Sequence, residues 1–400
     1  MPASALTRSP LIRQVCVWGG ALALCSVSAA RSGVTPEAYG NDFTVFYAAA
    51  RQAMLTGNPY DIAMRAATPY LYPPLFAQLL APLALLPLPV AAGAWAVGNV
   101  VATLWLWRMA RQVLDSEPHR GEAPAWLWRL ALAPILGGNF LLGQVNLWIA
   151  AAVAFALLAD AERRRSALGG LALALATSVK LSPILLLPYF IGRRAWRLLA
   201  WHAAWTLLLN WLSFALLGAS RRPIIQSWCQ EIIIQGWRFD FATPSNQSLY
   251  GALLRARQWL GGSGLPYWLL ALLGAAWLFY AGHRARRAVG SAARQAAAAA
   301  NAWCVLGAKL SWVAHFALLA LPVAVALSAQ AHRRLARASV LALAVCAWSS
   351  FQIVPERLRA QVEAWSLFTG AGLAIMLTLL QPPRQPPKSD ARDGEAERPC

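Results

Sequence analysis

Long apolar runs, separated by short gaps that carry arginine, recur along the whole chain. Most approach the roughly 20 residues that cross a hydrocarbon core as a helix. Their continuity predicts helices rather than membrane strands, which alternate apolar and polar positions. A helix also pairs its own backbone groups, as lipid demands. The pattern places spans near 11–30, 73–89, 91–110, 145–160, 167–180, 182–191, 197–218, 266–282, 296–309, 315–330, 337–354 and 364–381. The runs 167–180 and 182–191 are too short for a straight crossing. They read as a hairpin broken at Pro183, with Lys180 near its tip. The apolar segment 126–142 reads as re-entrant, because a crossing there would move later arginine clusters to the outer face. Segments 31–72 and 219–265 read as long outward loops. The expected fold is an all-α polytopic membrane protein with about 12 spans. It is one membrane-embedded domain over 1–380, followed by a disordered cytoplasmic tail at 381–400 that is rich in proline and charge.

Composition agrees. Of 400 residues, 58% are hydrophobic and 13% charged, against about 25% charged in a soluble domain. The net charge of +19 raises nucleic acid as a partner, but its placement excludes that reading. Arginines gather in short loops: Arg163 to Arg165, Arg193 and Arg194, Arg284 to Arg287, and Arg333 and Arg334. This is the positive-inside pattern of membrane proteins. With 126–142 re-entrant these clusters fall inside, at the cost of leaving Arg108, Arg111 and Arg120 outside. Residues 1–30 resemble a signal peptide but read as an uncleaved first helix. The six cysteines form no Cys-x-x-Cys motif, and no acidic cluster marks a metal site. No metal and no cofactor are expected.

Few ionisable residues interrupt the apolar pattern, and those few are the chemical candidates. Asp42 follows the first span and opens an amphipathic helix over 43–55, with Phe43, Phe46, Tyr47, Ala50 and Met54 on a face expected to meet lipid. Two readings of Asp42 stand side by side: a helix N-cap, or a general base facing a hydroxyl at the membrane surface. Tyr72 precedes Pro73 and Pro74 at an interface, where aromatic residues commonly sit. Lys180 breaks an apolar run, and an ionisable residue there is a functional candidate, with snorkelling to the interface as the alternative. Gln144 and Asn146 lie between two apolar segments, where amides bond across helices or cap them. Asn246 and Gln247 occupy a polar outward loop suited to sugar hydroxyls, or serve as an ordinary loop into a helix. His315 starts an apolar helix at the outer face, either structural or a donor to a phosphate oxygen.

Taken in order, Asn41-Asp42-Phe43, Gly57-Asn58-Pro59-Tyr60, Tyr72-Pro73-Pro74-Leu75, Gly143-Gln144-Val145-Asn146, Lys180 with Pro183, and Asn246-Gln247-Ser248 resemble glycosyltransferase family 87. The likeness runs from about residue 40 to about 322. It implies a GT-C-type helical bundle with its active site at the extracytoplasmic face of a bacterial inner membrane. It implies a polyprenyl-phosphate sugar as donor, a glycolipid or glycan as acceptor, and the surrounding membrane lipids as further partners. The family's base, in the first external loop, corresponds to Asp42. Lys180 and His315 are then expected to hold the donor phosphate. Tyr72, Gln144, Asn146, Asn246 and Gln247 are expected to bind substrate. One departure is plain. Where the family carries Ser-Pro and paired histidines, this chain has Ala308-Lys309 and Ala314-His315. Competing readings are a transporter or flippase for a lipid-linked sugar, which would need midplane polar groups on broken helices, and an O-antigen ligase or polymerase.

Overall fold

The computed structural model describes residues 42–62, 70–116, 125–217, 221–230, 240–262, 264–329, 333–350 and 354–381. Every regular element among them is helical. Helix α1 (Asp42–Thr56) is followed by a 3-10 turn and by two short helices, α2 (Pro74–Leu79) and α3 (Ala81–Ala84). Then come α4 (Leu88–Asp115), α5 (Ala125–Leu142), α6 (Asn146–Ala161) and α7 (Ser166–Val179). A 3-10 turn over Ser182–Leu186 leads into α8 (Leu187–Arg193) and then α9 (Trp196–Leu216). Next are α10 (Arg221–Trp228), α11 (Leu249–Trp259), α12 (Tyr267–Ala285) and α13 (Gly290–Leu306). A second 3-10 turn, Val313–Leu319, continues as α14 (Ala320–Ser328), followed by α15 (Arg333–Ser349), α16 (Glu356–Ala364) and α17 (Leu367–Leu380).

Three helices among the described residues, α4, α5 and α9, are long and apolar enough to cross a membrane. The pair α16 and α17, bent by 49°, makes up to a fourth. The expected count of about 12 spans is therefore not reproduced. Helices α6 and α7 are only 16 and 14 residues long, and prolines at 183 and 188 leave the 182–193 stretch as a 3-10 turn and a short helix. Helix α9 turns Leu207, Trp211 and Leu216 outward, each about two-thirds exposed or more. Such apolar surface suits lipid rather than water. The first expected span, Asn41 and the tail beyond Gln381 lie outside the described residues.

Two segments take forms other than those expected. The 73–89 run is not one span but α2 and α3, of six and four residues. Prolines 73, 74, 82 and 87 start and stop these short helices, since proline lacks the donor that continues a helix. Segment 126–142, expected to be re-entrant, is the continuous 18-residue helix α5, long and apolar enough to cross a membrane. Arg108 and Arg111 lie in the last turns of α4, far along the helix from Trp95 and Asn99. There, Arg294 on α13 donates to Ser116 just after α4 at 2.9 Å.

Helix α1 also differs. Its Phe43, Phe46, Tyr47 and Ala50 face protein, not lipid, and all are buried. Phe43 stacks on Trp95 at 5.7 Å, and Phe46 meets Tyr72 and Phe76 edge-on at 4.9 and 5.0 Å. The Tyr47 hydroxyl donates to the Leu86 carbonyl at 2.7 Å. These contacts fix the start of α1 against the starts of α2 and α4. Elsewhere, α8 and α12 cross at Gly192 and Gly282, where a Cβ on either would collide with the partner's backbone. Small residues let membrane helices approach this closely.

Candidate active site

The loop between α5 and α6 is the hub of one end of the bundle. Gly143 adopts a left-handed conformation (φ 64°), which costs glycine little. Its carbonyl accepts from Trp95 Nε1 at 2.8 Å, and that of Gln144 from Asn99 Nδ2 at 3.3 Å, both on α4. The backbone so held presents Gln144 and Asn146 to their neighbours.

Five side chains then form a continuous line. Gln144 Nε2 donates to Asp42 Oδ2, at the first residue of α1. Gln144 Oε1 faces the Tyr72 hydroxyl at 3.5 Å and Asn146 Nδ2 at 3.3 Å. Asn146 Oδ1 accepts from Lys180 Nζ at 2.7 Å, and the same ammonium lies 2.8 Å from His315 Nε2. Lys180 also sits over the Tyr72 ring at 5.8 Å, within range for a cation–π contact. Lys180 is the extended residue that ends α7. Its head therefore emerges just where the helix stops.

The line has a fixed polarity, imposed by Asn139 on α5. Asn139 is fully buried. Its Nδ2 donates to the Ile135 carbonyl at 2.8 Å and to the Ala314 carbonyl at 2.9 Å, so its Oδ1 is left to accept from Asn146 Nδ2 at 3.1 Å. Asn146 must then turn its own oxygen to Lys180, and Gln144 its NH2 to Asp42. Asn139 was not singled out in the sequence. The available signal was an amide inside an apolar run, which is costly in a membrane helix unless it is paired.

Asp42 and Lys180 interact electrostatically across this line. Burial pushes the Asp42 carboxyl above its usual range, while the Lys180 charge and the Gln144 hydrogen bond pull it back. A cavity of about 30 Å³ lies beside Lys180, bounded by Asn146, Ser182, Cys304, Ser311 and His315. That is about one water's share of liquid volume, so a phosphate needs the walls to part.

Asn246 and Gln247 do not join the line. Asn246 spends its amide on the carbonyls of Phe241 and Lys309 and on the backbone N–H groups of Ser248 and Ser311. Gln247 donates to the carbonyls of Pro244 and Glu363. Both are fully buried and tie their loop to the 309–311 segment that leads to His315. Lys309 lies over the Phe241 ring at 4.2 Å. No group of three metal-ligating side chains assembles among the described residues.

A half-buried carboxylate and a half-buried ammonium, joined by amides at one end of a helical bundle, come from motifs that carried the family likeness. The family model for glycosyltransferase family 87 matches residues 70–312, more than half of the chain. The chain belongs to glycosyltransferase family 87. It is thus a glycosyltransferase built of apolar helices. The match contains Tyr72, Gln144, Asn146 and Lys180; Asp42 and His315 flank it. A polyprenol-phosphate-mannose-dependent alpha-(1-2)-phosphatidylinositol mannoside mannosyltransferase of Mycolicibacterium smegmatis is 30% identical over 328 residues, covering 76% of this chain and 72% of the relative. The Mycobacterium tuberculosis protein of the same description is 27% identical over 374 residues, covering 84% and 82%. A phosphatidylinositol pentamannoside mannosyltransferase of M. smegmatis is 30% identical over 188 residues, covering 47% and 44%. No solved structure matches the chain.

Proposed function

We propose that this glycosyltransferase moves a hexose, mannose on the precedent of its relatives, from a polyprenyl-phosphate donor to an envelope glycolipid or polysaccharide. The reaction takes place at the extracytoplasmic face of a bacterial inner membrane. The observation that carries this reading is the line from Asp42 to His315, which sets a carboxylate and a cation about one short cluster.

Asp42 is the general base. Gln144 occupies Oδ2, and the other carboxylate oxygen takes the proton of an acceptor hydroxyl. The freed oxygen attacks the anomeric carbon while the bond to the lipid phosphate breaks. Inversion at that carbon turns a β-linked donor into an α-linked product. Lys180 neutralises the departing phosphate. A fixed cation aimed at developing charge is among the largest contributors to catalysis. His315 engages the Lys180 ammonium and holds it towards the phosphate. Tyr72 supports Lys180 from below. The Lys180 charge and the Gln144 hydrogen bond favour the ionised form of Asp42 against the effect of burial, which is the form a base needs.

The reading is tested with purified protein and a polyprenyl-phosphate mannose donor. Release of polyprenyl phosphate with formation of an α-linked product supports it. A wild-type protein that moves the intact lipid-linked sugar across a vesicle without cleaving it would replace transfer by transport.

A further inference from the structure

A second cavity lies at the start of the 313–319 turn and shares no lining residue with the one beside Lys180. Its volume is about 160 Å³, room for roughly five waters. Ile135 and Leu142 of α5, Val313 and Ala347 form apolar walls. Ala314 lines it too; this residue precedes His315, and its carbonyl is the one held by Asn139. Two polar groups interrupt the apolar lining: Ser350 and Arg359. Ser350 Oγ and Arg359 Nε are buried atoms without a hydrogen-bond partner among the described residues. A buried guanidinium N–H left unpaired is costly. Glu363, one turn along α16, interacts electrostatically with Arg359 and Arg255, yet Nε stays unmatched. The cavity is thus mostly apolar, with unpaired hydrogen-bonding atoms of Arg359 and Ser350 at its wall.

We infer that this cavity holds the phosphate and first chain atoms of a phospholipid acceptor, with Arg359 and Ser350 donating to a phosphate oxygen. Three observations favour an acceptor lipid. The donor's own phosphate has Lys180 and His315, neither of which lines this cavity. The walls are apolar, as an acyl chain requires, while a free phosphate would meet an apolar lining on most sides. The cavity adjoins the candidate site through Ala314 and His315, so a lipid anchored there carries its headgroup sugar towards Asp42. This inference rests on the transfer reaction proposed above.

The test separates lipid binding from turnover. Binding of short-chain phosphatidylinositol to the purified full chain is measured for wild type, Arg359→Gln, Ser350→Ala and Lys180→Ala, with diacylglycerol of the same chain length as control. Charge-assisted hydrogen bonds predict about tenfold weaker binding in Arg359→Gln. A smaller loss is expected in Ser350→Ala and none in Lys180→Ala, with diacylglycerol bound alike by all. Arg359→Lys, which keeps the charge, recovers part of the affinity and carries the test should the glutamine variant fold poorly. In the transfer assay Arg359→Gln raises the KM of a phosphatidylinositol mannoside acceptor and leaves the donor KM unchanged. Equal phosphatidylinositol binding by wild type and Arg359→Gln overturns the inference, as does a rise in donor KM alone. A wild type that binds phosphatidylinositol through Arg359 yet transfers no sugar contradicts the proposed function and leaves the lipid site standing.

Discussion

Each end of the bundle buries a carboxylate beside a cation, and the two are built for different ends. At the arginine-rich end, Asp160 pairs with Arg193, whose side chain is almost completely buried. Every arm of that guanidinium is used: Nε on Asp160, Nη1 on the carbonyls of Ala285 and Ala288, and Nη2 on those of Asp160 and Ala288. Arg163 adds a bond to the Arg286 carbonyl at 2.9 Å. The pair fastens α6, α8 and the end of α12 together and has nothing left to offer a substrate. At the other end, Asp42 and Lys180 never touch. Amides stand between them, and each keeps capacity for a further partner. A saturated ion pair is a fastening; a separated one, bridged by oriented amides, leaves room for a substrate between the charges.

The largest effect on stability is expected at the saturated end. Asp160→Asn strips the buried Arg193 of its countercharge, at a cost of about 3–5 kcal/mol. Thermal unfolding in detergent should show a strongly lowered midpoint, with transfer per folded molecule little changed. At the open end Lys180→Ala should instead preserve folding and lower transfer about 100-fold or more through the unneutralised leaving group. Donor binding should weaken more than acceptor binding. Asn139→Leu keeps approximate size but frees Asn146 to rotate and orphans the Ala314 carbonyl. It should cost about 1–3 kcal/mol of stability and lower kcat more than it raises either KM. The smallest effect is a shift in pH dependence. Asp42 must be ionised to act, so transfer falls as pH drops through its pKa, which burial has raised. Gln144→Ala removes a hydrogen bond that favours the ionised form. The acid limb of kcat/KM should then move to higher pH; a limb that stays in place would detach Gln144 from Asp42.

Much of this contrast was legible in the chain. Polar residues are so rare in its apolar runs that Asp42, Gln144, Asn146 and Lys180 stood out, and the structure gathers them. What the sequence hid depends on long-range packing. Phe43 and Phe46 look the same in sequence whether they meet lipid or Trp95 and Phe76, because both surroundings are apolar. The 73–89 run has the hydropathy of a span, and only its prolines, which stop helices rather than change hydropathy, divide it. The re-entrant reading of 126–142 came from charge counting, which depends on every earlier crossing being right and does not foresee a continuous 18-residue helix. The internal bonding of Asn246 and Gln247 could not be read from the chain, because substrate-facing and internally bonded polar loops share a composition. Asn139 gave the weakest signal, one amide in 18 residues of α5, although it sets the direction of the whole line.

The central claim is that Asp42 is the base, and Asp42→Asn tests it most directly. Asparagine keeps the size of the side chain and caps a helix about as well as aspartate, so protein level and melting temperature should match wild type. Loss of a positioned base should lower transfer about 100- to 10,000-fold, with donor binding retained because the base acts on the acceptor. An Asp42→Asn protein of normal stability that transfers sugar at close to the wild-type rate would contradict the account.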